Sequence, residues 1–230
     1  MLGLGQRSIH KAITYLDTFY ATKAPEHHES AETSKVKLKS RAFAAVMLSS
    51  KITEVHDSDL FYSASFSRAA RYMKTSLEGA AACEVEMLQA LDCNLTVADS
   101  YEFVECILHH NLHCSDADCV EEKAFQDVSV SPDGSTLKDS VAAYCVYYND
   151  ISATDTAFLD FTPSVRACAA IAAARMEKRV SPVWPEGLEK VSGLSLEGTV
   201  AKCASILRAV AVRHQDEESG RKSSSSDQAK

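Results

Sequence analysis

Two charged residues in apolar surroundings are the side chains whose type and placement best suit a binding chemistry. Lys51 directly follows residues 40–50, a run dominated by small and apolar side chains, and Glu84 lies at the centre of residues 75–94 among apolar or small neighbours. A buried ion is costly unless a partner compensates for its desolvation. The two residues therefore predict either a salt bridge within the chain or a surface that receives polar groups of another molecule.

Motifs of catalysis and cofactor binding are missing from the sequence. It contains no GxSxG, no HExxH and no glycine-rich phosphate loop. We therefore expect a non-catalytic protein without a cofactor or a metal ion. The scattered cysteines, with no CxxC motif, are expected to be buried thiols in a reducing compartment.

Residues 109–119, HHNLHCSDADC, are the one local cluster of metal-ligand residue types. His109 and His113 would share a helical face, and Cys114 and Cys119 follow, but this spacing fits no standard structural zinc site. A histidine-rich helix end, stabilised by the helix dipole, is the alternative interpretation. An unrelated helical bundle with a metal site here is the third hypothesis.

The balance of charge and hydropathy excludes several classes of partner. A formal net charge of -8 disfavours attraction to the phosphate backbone of nucleic acid. No apolar run approaches twenty residues, and the first ten residues lack the apolar core of a signal peptide. We expect a soluble protein of the nucleus, the cytoplasm or both, with no membrane or nucleic-acid partner.

The spacing of apolar residues predicts an all-α fold made of two similar helical bundles. Few glycines and prolines interrupt the alanine-rich stretches. The same order of helices occurs twice, at an offset of very roughly 120 residues. The predicted helices span residues 8–20, 38–51, 58–66 and 76–92 in the first half, and 100–110, 140–152, 162–178, 185–191 and 195–213 in the second.

Local signals fix the beginnings of two of these helices. Thr75 and Glu78 form a capping-box pattern ahead of an amphipathic stripe. Thr162 followed by Pro163 is typical of a helix start, and residues 165–174 are too uniformly small and apolar for a surface helix. The sequence therefore predicts that the helix after Thr162 runs through a core.

Polar segments separate and follow the predicted bundles. Residues 22–37 and 111–137 are expected to be surface insertions, and the serine-rich tail, residues 214–230, is expected to be disordered. The domain prediction is a first bundle at residues 1–98, a second at 99–213, and this tail.

Five runs, taken together and in order, resemble the cyclin family. AITYLDTFY, AAVMLSSKITEV and CEVEMLQALDCNLTVADSYEFV are similar to the cyclin box, while TPSVRACAAIAAA and PVWPEGLEKVSGLSLEGTVAKCASIL are similar to the second cyclin fold of A- and B-type cyclins. The resemblance covers most of residues 8–213. It implies two tandem cyclin folds and a regulatory subunit that binds and activates a cyclin-dependent serine/threonine protein kinase during the cell cycle, as a heterodimer with that kinase.

The resemblance also implies which residues bind the kinase. Lys51 and Glu84 match the cyclin lysine and glutamate that hydrogen-bond the main chain of a kinase helix. The apolar part of the same surface would be formed by Leu48, Ile52, Val85, Leu88 and Leu95. Asp17 matches the structural aspartate of the cyclin box, which pairs with an arginine of a preceding helix.

The chain departs from the family pattern at three points, of which the missing helix and Cys93 support a different hypothesis. The helix that should precede residue 8 is not found, Thr18 stands where cyclins have an arginine, and Cys93 stands where kinase-binding cyclins commonly have a phenylalanine. A smaller side chain at Cys93 would weaken a kinase contact by about 1–2 kcal/mol. The alternative is a degenerate cyclin-fold adaptor or transcription-related scaffold that activates no kinase.

Overall fold

The computed structural model describes residues 4–22, 31–54, 59–114, 119–120 and 136–227. Within these ranges it contains nine α-helices, a 3-10 turn at Thr156–Phe158 and one pair of two-residue strands. The all-α prediction is confirmed. The helices are α1 (Gln6–Thr22), α2 (Ala31–Thr53), α3 (Asp59–Met73), α4 (Leu77–Ala90), α5 (Ser100–His109), α6 (Leu137–Thr154), α7 (Pro163–Glu177), α8 (Glu186–Ser192) and α9 (Thr199–Asp227).

The chain divides into two compact units, Met1–Asp99 and Ser100–Lys230. Each unit has its own hydrophobic core built around one central helix, α2 in the first and α7 in the second. None of the helices in the described ranges is long and apolar enough to cross a membrane.

In the first unit, α2 packs against α1, α3 and α4. Its buried face separates two clusters of apolar side chains. Ala45 and Leu48 belong to the cluster shared with α1 and α4, whereas Phe43 and Met47 belong to the cluster shared with α3 and α4. The central helix therefore fixes the positions of α1 and α4 relative to each other.

In the second unit, α7 is the buried helix that the sequence predicts. Every residue from Val165 to Arg175 is buried, and α5, α6 and α9 pack around them. Small alanine side chains let the neighbouring helices approach closely from several directions. Thr162 caps the helix, since its hydroxyl accepts a hydrogen bond from the backbone of Val165, and Pro163 occupies the first turn.

The start of α4 differs by one residue from the sequence prediction. Ser76, not Thr75, is the N-cap, and its side chain accepts a hydrogen bond from the backbone N–H of Gly79 at 2.9 Å. The Thr75 hydroxyl instead lies 2.8 Å from the hydroxyl of Ser40 on α2. Thr75, which the local sequence favoured as the cap, thus contacts a residue of another helix instead.

The buried guanidinium of Arg175 ties the end of α7 to two connecting segments. It donates hydrogen bonds to the carbonyl of His113 at 2.6 Å and to those of Pro182 and Val183 at 2.5 and 3.0 Å. Arg175 has no exposed surface. A buried cation is tolerated here because several carbonyl oxygens replace its hydration.

The predicted polar connections contain more regular structure than expected. Residues 31–37 form the first turns of α2, while residues 23–30 lie outside the described ranges. In the second connection, β1 (Cys119–Val120) pairs antiparallel with β2 (Val180–Ser181), and residues 115–118 and 121–135 lie outside the described ranges. The segment predicted to be disordered from residue 214 continues α9 as far as Asp227.

Candidate functional site

Lys51 and Glu84, the two charged residues singled out in the sequence, form an ion pair between α2 and α4. The Lys51 ammonium lies 2.5 Å from Oε1 of Glu84. The lysine side chain is 46% exposed and the glutamate side chain 14% exposed, so the pair is open to solvent on one side. An exposed pair of this kind adds at most about 1 kcal/mol of stability. Its polar atoms remain within reach of another molecule.

Two apolar residues lie next to this ion pair in the sequence and face solvent. Ile52, which follows Lys51, is 47% exposed, and Val85, which follows Glu84, is 55% exposed. Leu88 and Leu95 are partly buried and pack against the core cluster shared by α1, α2 and α4. Charged groups and exposed apolar side chains therefore occur together at the end of α2 and in the middle of α4, as in surfaces that bind proteins.

Leu48 does not belong to the outer part of this surface. It is 4% exposed and packs inside the core cluster with Tyr15 and Met87. Leu48 thus lies on the face of α2 that points into the first unit, and its contact with a kinase stays a prediction. Leu48 anchors α2 to the core about one helical turn before Lys51.

The last turn of α2 is held in place by the beginning of α1. The carboxylate of Glu54 accepts hydrogen bonds from the backbone N–H of Gly5, at 2.8 Å, and from the hydroxyl of Ser8. The hydroxyl of Ser8 also lies 2.6 Å from that of Thr53. These contacts fix the backbone that carries Lys51 and Ile52.

A second set of residues, which sequence reasoning missed, holds the segment that follows α4. The Lys11 ammonium, on α1, donates a hydrogen bond to the carbonyl of Val97 at 2.7 Å and forms an ion pair with Asp99 at 3.2 Å. The hydroxyl of Tyr15 donates to the carbonyl of Leu95 at 2.7 Å. The Lys11 and Asp99 side chains are 4% and 1% exposed. The sequence feature that could have revealed this contact is Lys11 itself, a lysine within the apolar face of α1.

Asp17 lies half-buried on α1, between Tyr15 and Phe19, which are both in the core. Thr18 donates its hydroxyl hydrogen bond to the carbonyl of Thr14 within the same helix. The role of Asp17 as a structural residue of the cyclin box stays a prediction. Cys93 is exposed and has a left-handed backbone conformation, with a φ of 56°.

The cluster proposed as a metal site is split between solvent and core. His109 is exposed and stacks edge-on against His110 at 5.2 Å, whereas His113 and Cys114 are buried. In the part of the chain that the structure describes, no three histidine, cysteine, aspartate or glutamate side chains are grouped to hold a metal ion. Cys119 lies in β1.

Three buried cysteines of the second unit have thiols that resist ionisation. Burial raises the pKa of Cys145 and of Cys203 to about 12 and that of Cys168 to about 11. A thiol with such a pKa is a poor nucleophile at neutral pH. These residues fill the core around α7 and offer no covalent chemistry.

The second unit matches a known family model over its whole length. Residues 100–230, more than half of the chain, match the model described as the cyclin C-terminal domain. The chain belongs to the cyclin family. Cyclins are generally regulatory and non-catalytic. The surface around Lys51 and Glu84 is therefore considered as a binding surface.

Two curated cyclins are similar to parts of the chain. The Cyclin-J-like protein of Mus musculus is 26% identical over 157 residues, which cover 68% of this chain and 37% of that protein. Cyclin-J of Xenopus laevis is 28% identical over 115 residues, which cover 47% of this chain and 26% of that protein. The chain thus spans well under half the length of these cyclins. The likeness to A- and B-type cyclins stays a prediction.

Proposed function

We propose that this cyclin-family chain is a regulatory subunit that binds and activates a cyclin-dependent serine/threonine protein kinase and so controls cell-cycle progression. The observation that carries the proposal is the Lys51–Glu84 ion pair between two helices, with its lysine half-exposed, flanked by the exposed side chains of Ile52 and Val85. The heterodimer would form in the nucleus, the cytoplasm or both.

The ion pair offers both a donor and an acceptor to a peptide backbone. The Lys51 ammonium has three N–H groups, of which the contact with Glu84 uses one. The Glu84 carboxylate keeps further acceptor positions. The resemblance to cyclins indicates a kinase helix as the target. Exposed main-chain groups of that helix would hydrogen-bond Lys51 and Glu84, and Ile52 and Val85 would pack against apolar side chains beside it.

Activation would follow from a shift in the population of kinase conformations. A chain that binds the kinase helix only in its inward position favours that position by its own binding free energy. In the inward position the helix glutamate pairs with the lysine that holds the ATP phosphates. Every catalytic group would then lie on the kinase.

Co-purification tests this proposal directly. The tagged chain would be recovered from its own cells and the eluate assayed for ATP-dependent phosphorylation of protein. A kinase whose activity requires the chain is the expected result. Recovery of folded chain without any kinase would contradict the proposal.

Charge reversal at the ion pair identifies the surface. We predict that Lys51→Glu and Glu84→Lys each abolish kinase co-purification, because each presents the wrong charge to the kinase backbone. Helical circular dichroism should persist, because an exposed pair contributes little to stability. Two variants that still bind the kinase normally would show that the surface lies elsewhere.

The double variant Lys51→Glu/Glu84→Lys separates binding from folding. It restores the ion pair between α2 and α4 with the charges exchanged. If the pair only joins the two helices, the double variant should behave as wild type. If it binds the kinase, thermal stability should recover while kinase binding stays lost.

A cyclin-fold adaptor or transcription-related scaffold is the second candidate, favoured by Cys93. Its small exposed side chain stands where kinase-binding cyclins commonly carry phenylalanine. Such an adaptor would recover a partner protein in the same experiment, but the eluate would have no phosphorylation activity that depends on the chain.

A further inference from the structure

The segment that joins α4 to α5 is exposed in its middle and anchored at both ends. Leu91 and Asp99 are buried, whereas Cys93, Asn94 and Thr96 between them face solvent. Asp92 and Cys93 both have left-handed backbone conformations, with φ values of 50° and 56°. These conformations close the end of α4, since the backbone N–H of Cys93 donates a hydrogen bond to the carbonyl of Leu88 at 2.8 Å.

Two side chains of α1 contact the segment further along, at a matched spacing. Lys11 and Tyr15 are separated by four residues and so lie about 6 Å apart along one face of the helix. They donate to the carbonyls of Val97 and Leu95, at 2.7 Å in both cases. Carbonyls two residues apart in an extended chain lie about 6.6 Å apart. The helix therefore fixes the position and register of the segment.

The exposure of the segment alternates as expected for an extended chain held on one side. Leu95 and Val97 are half-buried, and their neighbours Asn94, Thr96 and Ala98 are exposed. Leu95 also packs against the cluster that contains Leu48. The inner face of the segment thus packs on the same core cluster as α2, the helix that carries Lys51.

We propose that Lys11 and Tyr15 are positioning residues, which hold residues 92–97 in place as a preformed part of the kinase-binding surface. This inference rests on the function proposed above. A segment that is ordered before binding loses less conformational freedom when the kinase binds, so its affinity is higher. The buried ion pair of Lys11 with Asp99 anchors the end of the segment that leads into α5.

Tyr15→Phe is the sharpest test, because it removes one oxygen atom and keeps the ring in the core. Hydrogen exchange of the free, full chain should become faster at the amides of residues 94–98 and stay unchanged in α2. Affinity for a purified recombinant cyclin-dependent kinase that the wild-type chain binds should fall about three- to tenfold, the effect of one lost hydrogen bond.

Thr18→Val is the matched control on the same helix. It also removes a hydroxyl, but the hydrogen bond lost is the one to Thr14 within α1. Neither the exchange of residues 94–98 nor the affinity for the kinase should change. A loss of affinity equal to that of Tyr15→Phe would mean that α1 acts only through its general stability, and would overturn the inference.

The lysine is tested by a pair of variants. Lys11→Met removes the cation and should weaken kinase binding, while Lys11→Arg keeps a cation and should restore most of it. If hydrogen exchange at residues 94–98 is unchanged in both Lys11→Met and Tyr15→Phe, the inference is overturned. The proposed function would not be affected by that result. A wild-type chain that binds no kinase would instead refute the proposed function, and with it the role assigned to the segment.

Discussion

His113 is a buried histidine whose surroundings oppose its protonation. Its own backbone carbonyl accepts a hydrogen bond from Arg175 at 2.6 Å. Burial, together with the positive charges of Lys138 and Arg175, holds the pKa of His113 below its ordinary value of 6.5, although the negative charge of Asp139 acts in the opposite direction. The folded chain therefore keeps this imidazole neutral where the unfolded chain would charge it.

This shift predicts that acid destabilises the second unit. Below a pH of about 6.5 the unfolded state binds more protons at His113 than the folded state, so the free energy of unfolding decreases as the pH falls. The melting temperature followed by circular dichroism should decline over this range. In His113→Leu the decline should be shallower.

His109→Gln provides the control for acid sensitivity, because His109, at the end of α5 and four residues before His113, is exposed. Its pH profile should follow that of the wild type. An equally steep decline in His113→Leu would show that other groups cause the acid sensitivity.

At the scale of elements, α7 is defined by the smallness of its side chains. Six alanines from Ala167 to Ala174 have no exposed surface and face the helices packed around them. A hydrophobic helix with large side chains would force these neighbours apart. The packing of the second unit thus depends on volume as much as on hydrophobicity.

We predict that Ala170→Leu lowers the free energy of unfolding by about 1–3 kcal/mol, because the added methylenes have no space beside α7. The same change at Ala143, which is exposed on α6, should alter it by no more than about 0.5 kcal/mol. Chemical denaturation of the two variants measures both values. Equal stabilities would show that the core around α7 can expand at little cost.

At the scale of the whole molecule, the excess of acidic residues disfavours binding to nucleic acid. The chain carries 32 aspartates and glutamates against 24 lysines and arginines. Binding to a duplex regardless of sequence depends on releasing counterions from phosphates, which requires basic side chains. A scaffold that contacts DNA itself is therefore the less favoured form of the second candidate function.

Fluorescence anisotropy with a labelled random-sequence DNA duplex should show no binding at physiological salt and only weak binding at low salt. The same titration with the Glu84→Lys and Lys51→Glu variants controls for a local change of charge. Tight binding that weakens steeply with added salt would indicate a basic surface and favour the scaffold.

The sequence by itself determined the class of fold, the order of the helices and the burial of α7. These features follow from local rules. The spacing of apolar residues sets which face of a helix is buried, and a capping residue such as Thr162 marks where a helix begins. The resemblance to the cyclin family could also be seen in the sequence, because it rests on five short sequence runs that occur in the family's order. The match of residues 100–230 confirms it.

Only the tertiary structure decided which distant residues meet. Lys51 and Glu84 are 33 residues apart, and Lys11 and Val97 are 86 residues apart, so no local pattern joins them. Leu48 and Lys51 lie on one stretch of α2, yet packing against α1 and α4 buries the first and leaves the second half-exposed. Helical periodicity gives each helix a buried face, but the contacts between helices depend on how their side chains pack together.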